Sequence, residues 1–220
     1  TSRGSQGNAQ RAGYTIFSDY ESARQAAGNN TAFSLRVIDS QNVFAAVGVL
    51  AIEAARLRDA GEAPPKIRAR LESLAQSPQG YRVPPERKYL RARSRKRGDR
   101  SVSLLSAALG TALDIKPILH CNKGETGPVA KVKGFDTAAE KLFAFAAQRV
   151  RAGLMTPTLC LSYGGELEKM RALPGYEALR EVCADHNVEV FESVMGLSGL
   201  VNVGIGALVI GFAGDGAKFT

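Results

Sequence analysis

The sequence has no tryptophan, two histidines and three cysteines. Cys121, Cys160 and Cys183 are odd in number and nowhere in C-x-x-C spacing, which argues against a disulfide framework or a zinc site. They read instead as small buried hydrophobes of a reduced, intracellular protein. Neither His120 nor His186 stands at a metal-ligand spacing, no serine sits in a G-x-S-x-G elbow, and there is no G-x-x-x-x-G-K-[ST] phosphate loop. No catalytic residue and no metal ligand is therefore nominated. No apolar run reaches the roughly 18 residues of a membrane span. The most apolar helical stretch, 43–52, is too short, and no secretory signal is visible.

What is present is a 220-residue chain, 45% hydrophobic, long enough for a sizeable core. The net charge of +8 permits an anionic partner without choosing one. Residues 1–13 are small and polar and read as an arm or loop leading into a helix at 14–20. Ser18 or Asp19 can cap a helix over 20–27, stopped by Gly28-Asn29-Asn30. A strand is predicted at 33–38. Asp39 and Ser40 then cap a helix over 42–60, ended by Gly61, with Arg56 and Arg58 in the last turn. Its first half is apolar nearly all round, which predicts burial between layers.

Pro64-Pro65 opens a helix to 75, Ser77 to Gly80 form a turn, 81–83 a short strand, and Pro84-Pro85 start a helix over 86–97. A domain boundary is placed in 61–79. A short helix follows at 102–109. The run 115–119 carries Pro117, which lacks a donor, and so reads as an edge strand. A turn at 123–127 and a strand at 129–133 follow. Asp136 caps a helix over 137–152, with Ala138, Ala139, Leu142, Phe143, Ala146 and Val150 at helical spacing. Strands are expected at 157–161 and 188–191, helices at 166–173 and 176–186, and at least one strand within 201–212. Alternation of strand and helix makes this an α/β protein with sheets covered by helices.

Three stretches could carry function. Arg87, Lys88, Arg91, Arg93, Arg95, Lys96, Arg97 and Arg100 form a basic run, read either as a patch for phosphate or an acidic partner or as a solvated helix face. Nucleic acid is disfavoured, because no aromatic residues interleave the charges. Asn202-Val203-Gly204-Ile205-Gly206-Ala207 places two glycines after an expected strand, where backbone can approach a ligand and offer N–H groups to an anionic oxygen. Val209 stands where a dinucleotide fingerprint needs its third glycine. Thr1, Ser2 and Ser5 could donate hydroxyl hydrogen bonds to a carboxylate from a loop ahead of a helix.

The order of Leu109-Gly110, Ile115-Lys116-Pro117-Ile118-Leu119, Gly124-Glu125 and Lys131-Val132-Lys133-Gly134 resembles the DegV family of bacterial fatty-acid-binding proteins. The likeness extends to Val37-Ile38-Asp39-Ser40 with Gly48, to Tyr89-Leu90, to Gly204-Ile205-Gly206-Ala207-Leu208, and to Thr1-Ser2-Arg3-Gly4-Ser5. The resemblance implies a two-lobed DegV-like (EDD-type) fold with a ligand cleft between lobes. Residues 1–65 would be the remainder of an incomplete first lobe, because the family's opening acidic strand end and T-S-x-P-S loop are missing. Residues 66–220 would form the second lobe.

It further implies a cytoplasmic carrier, not an enzyme, with no cofactor. A long-chain fatty acid would be the bound ligand, its chain in an apolar tunnel and its carboxylate at the junction, presented to a separate fatty-acid kinase. Head-group contacts would come from Thr1, Ser2, Ser5, Asn202, Gly204 and Gly206, with Arg97 and Arg100 as possible anion or partner contacts. Asn202 and Ile205 replace the family's histidine and proline, and asparagine can donate a hydrogen bond but cannot carry charge. Three alternative functions stay open: an adaptor that binds an acidic protein or nucleic acid through Arg87 to Arg100, a small-molecule enzyme on the same fold that depends on Ser2 or Ser5, and a structural fragment without a ligand.

Overall fold

The structure, a computed structural model, describes residues 3–31, 33–85 and 114–219. The expected helices at 86–97 and 102–109 and the whole basic run therefore lie outside the described residues. The rest is α/β. In chain order the elements are α1 (Arg3–Ala26), α2 (Ala45–Asp59), α3 (Pro64–Leu74), β1 (Pro78–Val83), β2 (Ile115–Asn122), β3 (Glu125–Lys133), α4 (Phe135–Ala152), β4 (Thr158–Tyr163), α5 (Leu167–Arg171), α6 (Tyr176–Asp185), β5 (Glu189–Val194), α7 (Leu197–Val203) and β6 (Leu208–Ala213).

The six strands form one sheet in the order β3-β2-β1-β6-β4-β5. Only β4 and β5 are parallel. Their crossover carries α5 and α6, as a parallel connection requires. Alternation along the strands separates two cores. Leu208, Ile210 and Phe212 of β6, with Leu159 and Leu161 of β4, face α4 and α6. Val209, Ala213 and Cys160 face α2, α3 and α7. Every α4 position read as a helical apolar stripe is buried, and Leu142, Phe143 and Ala146 are fully so. Each large side chain of that kind contributes about 1.5–3 kcal/mol by leaving water.

The α2 face of the sheet is shaped by a row of small residues. Cys121, Gly80, Gly211 and Cys160 are neighbours in register across β2, β1, β6 and β4. Helix α2 lies along that row. A Cβ on Gly211 would stand 2.3 Å from the Ala46 nitrogen, and one on Gly80 would stand 2.5 Å from Asn42 Oδ1. Asn42, fully buried, donates from Nδ2 to the carbonyls of Pro78 (2.8 Å) and Cys121 (2.9 Å). Burial pushes the Cys160 thiol up to about 12, and the Cys183 thiol up to about 11 against the charge of Arg180. Both act as packing groups, as expected of the cysteines.

Several expectations are corrected. Residues 3–26 form a single helix, so Ser18 and Asp19 lie inside it and cap nothing. Contacts of Phe17 and Tyr20 with Phe33 support this helix, and they outweigh its poor intrinsic propensity. Residues 33–38 form no regular element and pair with none of the described strands. Asp39 and Ser40 do not cap α2. Asp39 Oδ1 accepts from the Gln41 amide at 3.0 Å, forming a turn that aims Asn42 at the sheet, and α2 starts only after Phe44. Nor is the first half of α2 buried all round: Val47 and Ala51 are exposed, because only one side meets the sheet.

Strand β2 is internal rather than an edge. Its pairing with β1 covers only Leu119 to Cys121, so Pro117 falls beyond the ladder that would need its donor. Asp136 lies in the first turn of α4, whose N-cap is Gly134. Ser77 is followed directly by β1, which starts at Pro78, before the expected 81.

Two ion-pair clusters pin the helices down. Buried Glu53 of α2 meets Arg70 Nε of α3 at 3.0 Å and accepts from Thr156 Oγ1 at 2.8 Å. Glu192 of β5 accepts from Arg171 of α5 (2.6 Å) and from the Tyr176 hydroxyl of α6. Burial alone would raise the Glu192 carboxyl; the Tyr176 and Arg171 hydrogen bonds and nearby Arg charge outweigh it and hold it below the ordinary carboxylate range. Burial and Glu192 together push the Tyr176 hydroxyl up to about 12.

Two outcomes follow. Gly211→Ala should lower unfolding stability by about 2 kcal/mol or more, read from urea melts, because the new methyl meets α2 backbone that cannot rotate away. Glu192 has a folded pKa below its unfolded value, so its contribution is present above the ordinary value of 4.5 and lost as pH falls through the folded one. The stability gap between wild type and Glu192→Gln should therefore be present at about pH 7 and shrink as the pH is lowered below the ordinary carboxylate value. A gap that persists at the lower pH would contradict this.

Candidate functional site

The segment 202–207 keeps its glycines for geometry. Its first two residues end a helix, α7, in place of the strand expected to precede the glycines. Gly204 (φ 96°) ends that helix and Gly206 (φ 82°) turns the chain into β6, both in the region that disfavours a side chain. Gly164, just past β4, closes on this turn: its N–H donates to Ala207 O at 2.9 Å and its carbonyl accepts from the Gly206 N–H at 2.8 Å. A Cβ on Gly164 would lie 2.9 Å from both Gly204 O and Gly206 N. Three glycines thus form a clasp at one end of the central strands. Pro85 packs beside Gly206, so the described part of β1's exit also reaches this end.

The clasp uses its own donors. The Gly204 N–H donates to Leu200 O at 2.8 Å and the Gly206 N–H to Gly164 O. These two N–H groups are therefore engaged within the protein, and what the loop offers outward is close approach. Asn202 lies in the last turn of α7, where Nδ2 donates to Ser198 O at 2.6 Å. Around it the surface is apolar: Val194, Leu197, Val201 and Ile205 are each more than 60% exposed. Leu197 and Val201, four apart, share one side of α7.

Of the other nominated residues only Ser5 is among those described. Thr1, Ser2, Arg97 and Arg100 lie outside the described residues. Ser5 sits in the first turn of α1, and the described contacts of α1 run to residues 29–37. Sequence reasoning missed Gly164. The pair Gly164-Gly165 signals only a turn, and nothing local says which backbone it will touch.

Neither histidine faces the clasp. His120 stacks on Tyr81 at 4.4 Å and donates from Nε2 to Gln79 Oε1 at 2.7 Å, and burial lowers its pKa. His186 caps α6, with Nδ1 3.0 Å from Val182 O, the structural role expected near a helix C-terminus. Among the described residues no group of three His, Cys, Asp or Glu side chains could hold a metal ion, and no helix is long and apolar enough to cross a membrane. Gly164→Ala should open the clasp, costing about 1–3 kcal/mol of stability and speeding amide exchange of Gly206 and Ala207. Unchanged exchange at those amides would show that the loop holds itself.

The comparisons with known proteins agree with this architecture. The family model described as "Uncharacterised protein, DegV family" matches residues 15–215. A DegV domain-containing protein of Xanthomonas axonopodis pv. citri is 56% identical over 213 residues, 97% of this chain and 68% of the relative. The Streptococcus pneumoniae fatty acid kinase B3 protein, solved loaded with linoleic acid, superposes with a TM-score of 0.72 at 16% identity, covering 96% of this chain and 68% of that one. Bacillus subtilis DegV, a fatty acid binding protein, gives 0.60 at 22% identity, covering 81% of this chain and 60% of that one. The chain thus spans about two thirds of the proteins it matches, and over that span it belongs to the DegV family.

Proposed function

We propose that this chain is a fatty-acid carrier: it binds a long-chain acid in an apolar tunnel, holds the carboxylate where two lobes meet, and presents it in the cytoplasm to a separate kinase. The observation that carries the reading is the family match over 15–215, together with a fold shared with proteins solved as fatty-acid binders. The physical terms suit it. Each buried methylene is worth about 0.8 kcal/mol, and a buried carboxylate needs hydroxyl or amide donors.

The head group is assigned to Thr1, Ser2 and Ser5 together with Asn202, Gly204 and Gly206. Because the glycine N–H groups are engaged in the clasp, the glycines act by leaving room. The donors are the hydroxyls and the amide of Asn202. The division into a lobe of residues 1–65 and one of 66–220 belongs to the same reading, with α2 seated on the sheet of the second. Fatty acid is the ligand, no cofactor takes part, and the protein binds rather than catalyses.

Native mass spectrometry of the purified protein, with organic extraction of what co-purifies, tests this. A long-chain acid at one per chain is expected. Asn202→Ala should weaken oleate binding roughly ten-fold, the loss of one hydrogen bond to a charged group. Protein that is recovered empty and fails to take up added oleate would overturn the proposal.

A further inference from the structure

The head-group residues nominated among the described ones, Ser5, Asn202, Gly204 and Gly206, carry no charge. A carboxylate taken out of water stays ionised only beside a cation or several donors; otherwise it takes up a proton. The two glycine N–H groups are already bonded within the protein. A positive charge close to the clasp would complete the site.

One is held there. Val203 and Ala207, on either side of the clasp glycines, belong to the core on the α2 side of the sheet, and Phe44 packs against that core. A Cβ on Gly199 of α7 would stand 3.4 Å from the Phe44 ring, so the ring rests against the helix that ends at the clasp. The guanidinium carbon of Arg82 lies 5.5 Å from the centre of the same ring. Arg82 is in register with Val209 of β6, which places both on the α2 side, and further along the chain Pro85 packs beside Gly206. The Arg82 side chain is half-buried, with Nε out of water. Lys116 also reaches this end, where its Nζ donates to Pro85 O at 2.6 Å. It stands on the other side of the sheet, in step with Ile118, and it pairs with Asp114 at 2.9 Å.

Phe44 keeps its place through a backbone that phenylalanine seldom adopts. Its φ of 54° and ψ of −134° lie outside the regions open to a side chain at low cost. Such strain persists only where the surrounding structure fixes it, and it gathers at ligand sites. A guanidinium set against an aromatic face is oriented in advance, and its planar fork of donors matches a carboxylate.

We infer that Arg82 supplies the positive charge for the ligand's carboxylate, and that Phe44 is the positioning residue that orients it. The inference rests on the fatty-acid reading and deepens it: the site selects the ionised acid over its neutral esters.

Calorimetric titration of the delipidated full chain with oleate and with methyl oleate tests it. Wild type should bind oleate at least about ten-fold more tightly than the ester. Arg82→Met keeps the length of the side chain without its charge. It should lose about ten-fold or more of the oleate affinity and keep the methyl oleate affinity within about two-fold. Phe44→Leu should show the same pattern, weakened by about three-fold. The carboxyl signal of carboxyl-labelled oleate should titrate at higher pH in Arg82→Met than in wild type, because a nearby cation favours the ionised form. Arg82→Gln, also neutral, carries the same test if Arg82→Met does not fold. Oleate affinity that survives neutralisation of Arg82, an equal loss for both ligands, or wild type that binds the ester as tightly as the acid would overturn this inference and leave the fatty-acid reading standing. Wild type that takes up neither ligand would overturn both.

Discussion

Helix α2 can lie where it does because four neighbouring strands present almost no side chain beneath it. Cys121, Gly80, Gly211 and Cys160 form a trough, and Asn42, Ala46 and Gly48 fit into it. Close approach of this kind replaces bulky interdigitation with backbone-to-backbone contact, so its stability comes from fit, not from area. Much else depends on it. Asn42 closes the end of β1 and β2, Glu53 is carried to Arg70 and Thr156, and the turn at Asp39 to Phe44 is held against the sheet.

How much of this was legible in the sequence varied with where the information resides. The α4 stripe was plain, because its periodicity and its burial share one cause. The hairpin at Lys123-Gly124 was plain too, since both residues take the positive φ that its turn demands. Pro117 misled because a proline rule concerns one missing donor, and whether that donor is needed depends on how far a partner strand extends. The N-terminal helix was hidden, since its support lies at Phe33 and not in its own composition.

The candidate site shows the same division. Gly204 and Gly206 are recognisable as special positions from their residue type alone. That they spend their donors on Gly164 and on Leu200 is a property of tertiary structure. A glycine can mark a place where a ligand comes close or a place where the protein itself does, and sequence does not separate the two. Here the protein occupies the inner side of the turn, while its outer side carries Ile205 and the apolar surface of α7.

The strand order has a consequence for how the molecule is made. Among the described strands, the earliest in sequence, β1, lies at the centre of the sheet and pairs along its whole length with β6, the latest. During synthesis β1 to β3 can meet as they emerge, but the other side of β1 stays open until β6, about 125 residues later, has left the ribosome. Such a sheet closes late and through contacts far apart in sequence, which slows folding and leaves an exposed strand edge in the nascent chain. The glycine clasp directly precedes β6, so the turn that completes the candidate site and the strand that completes the fold arrive together.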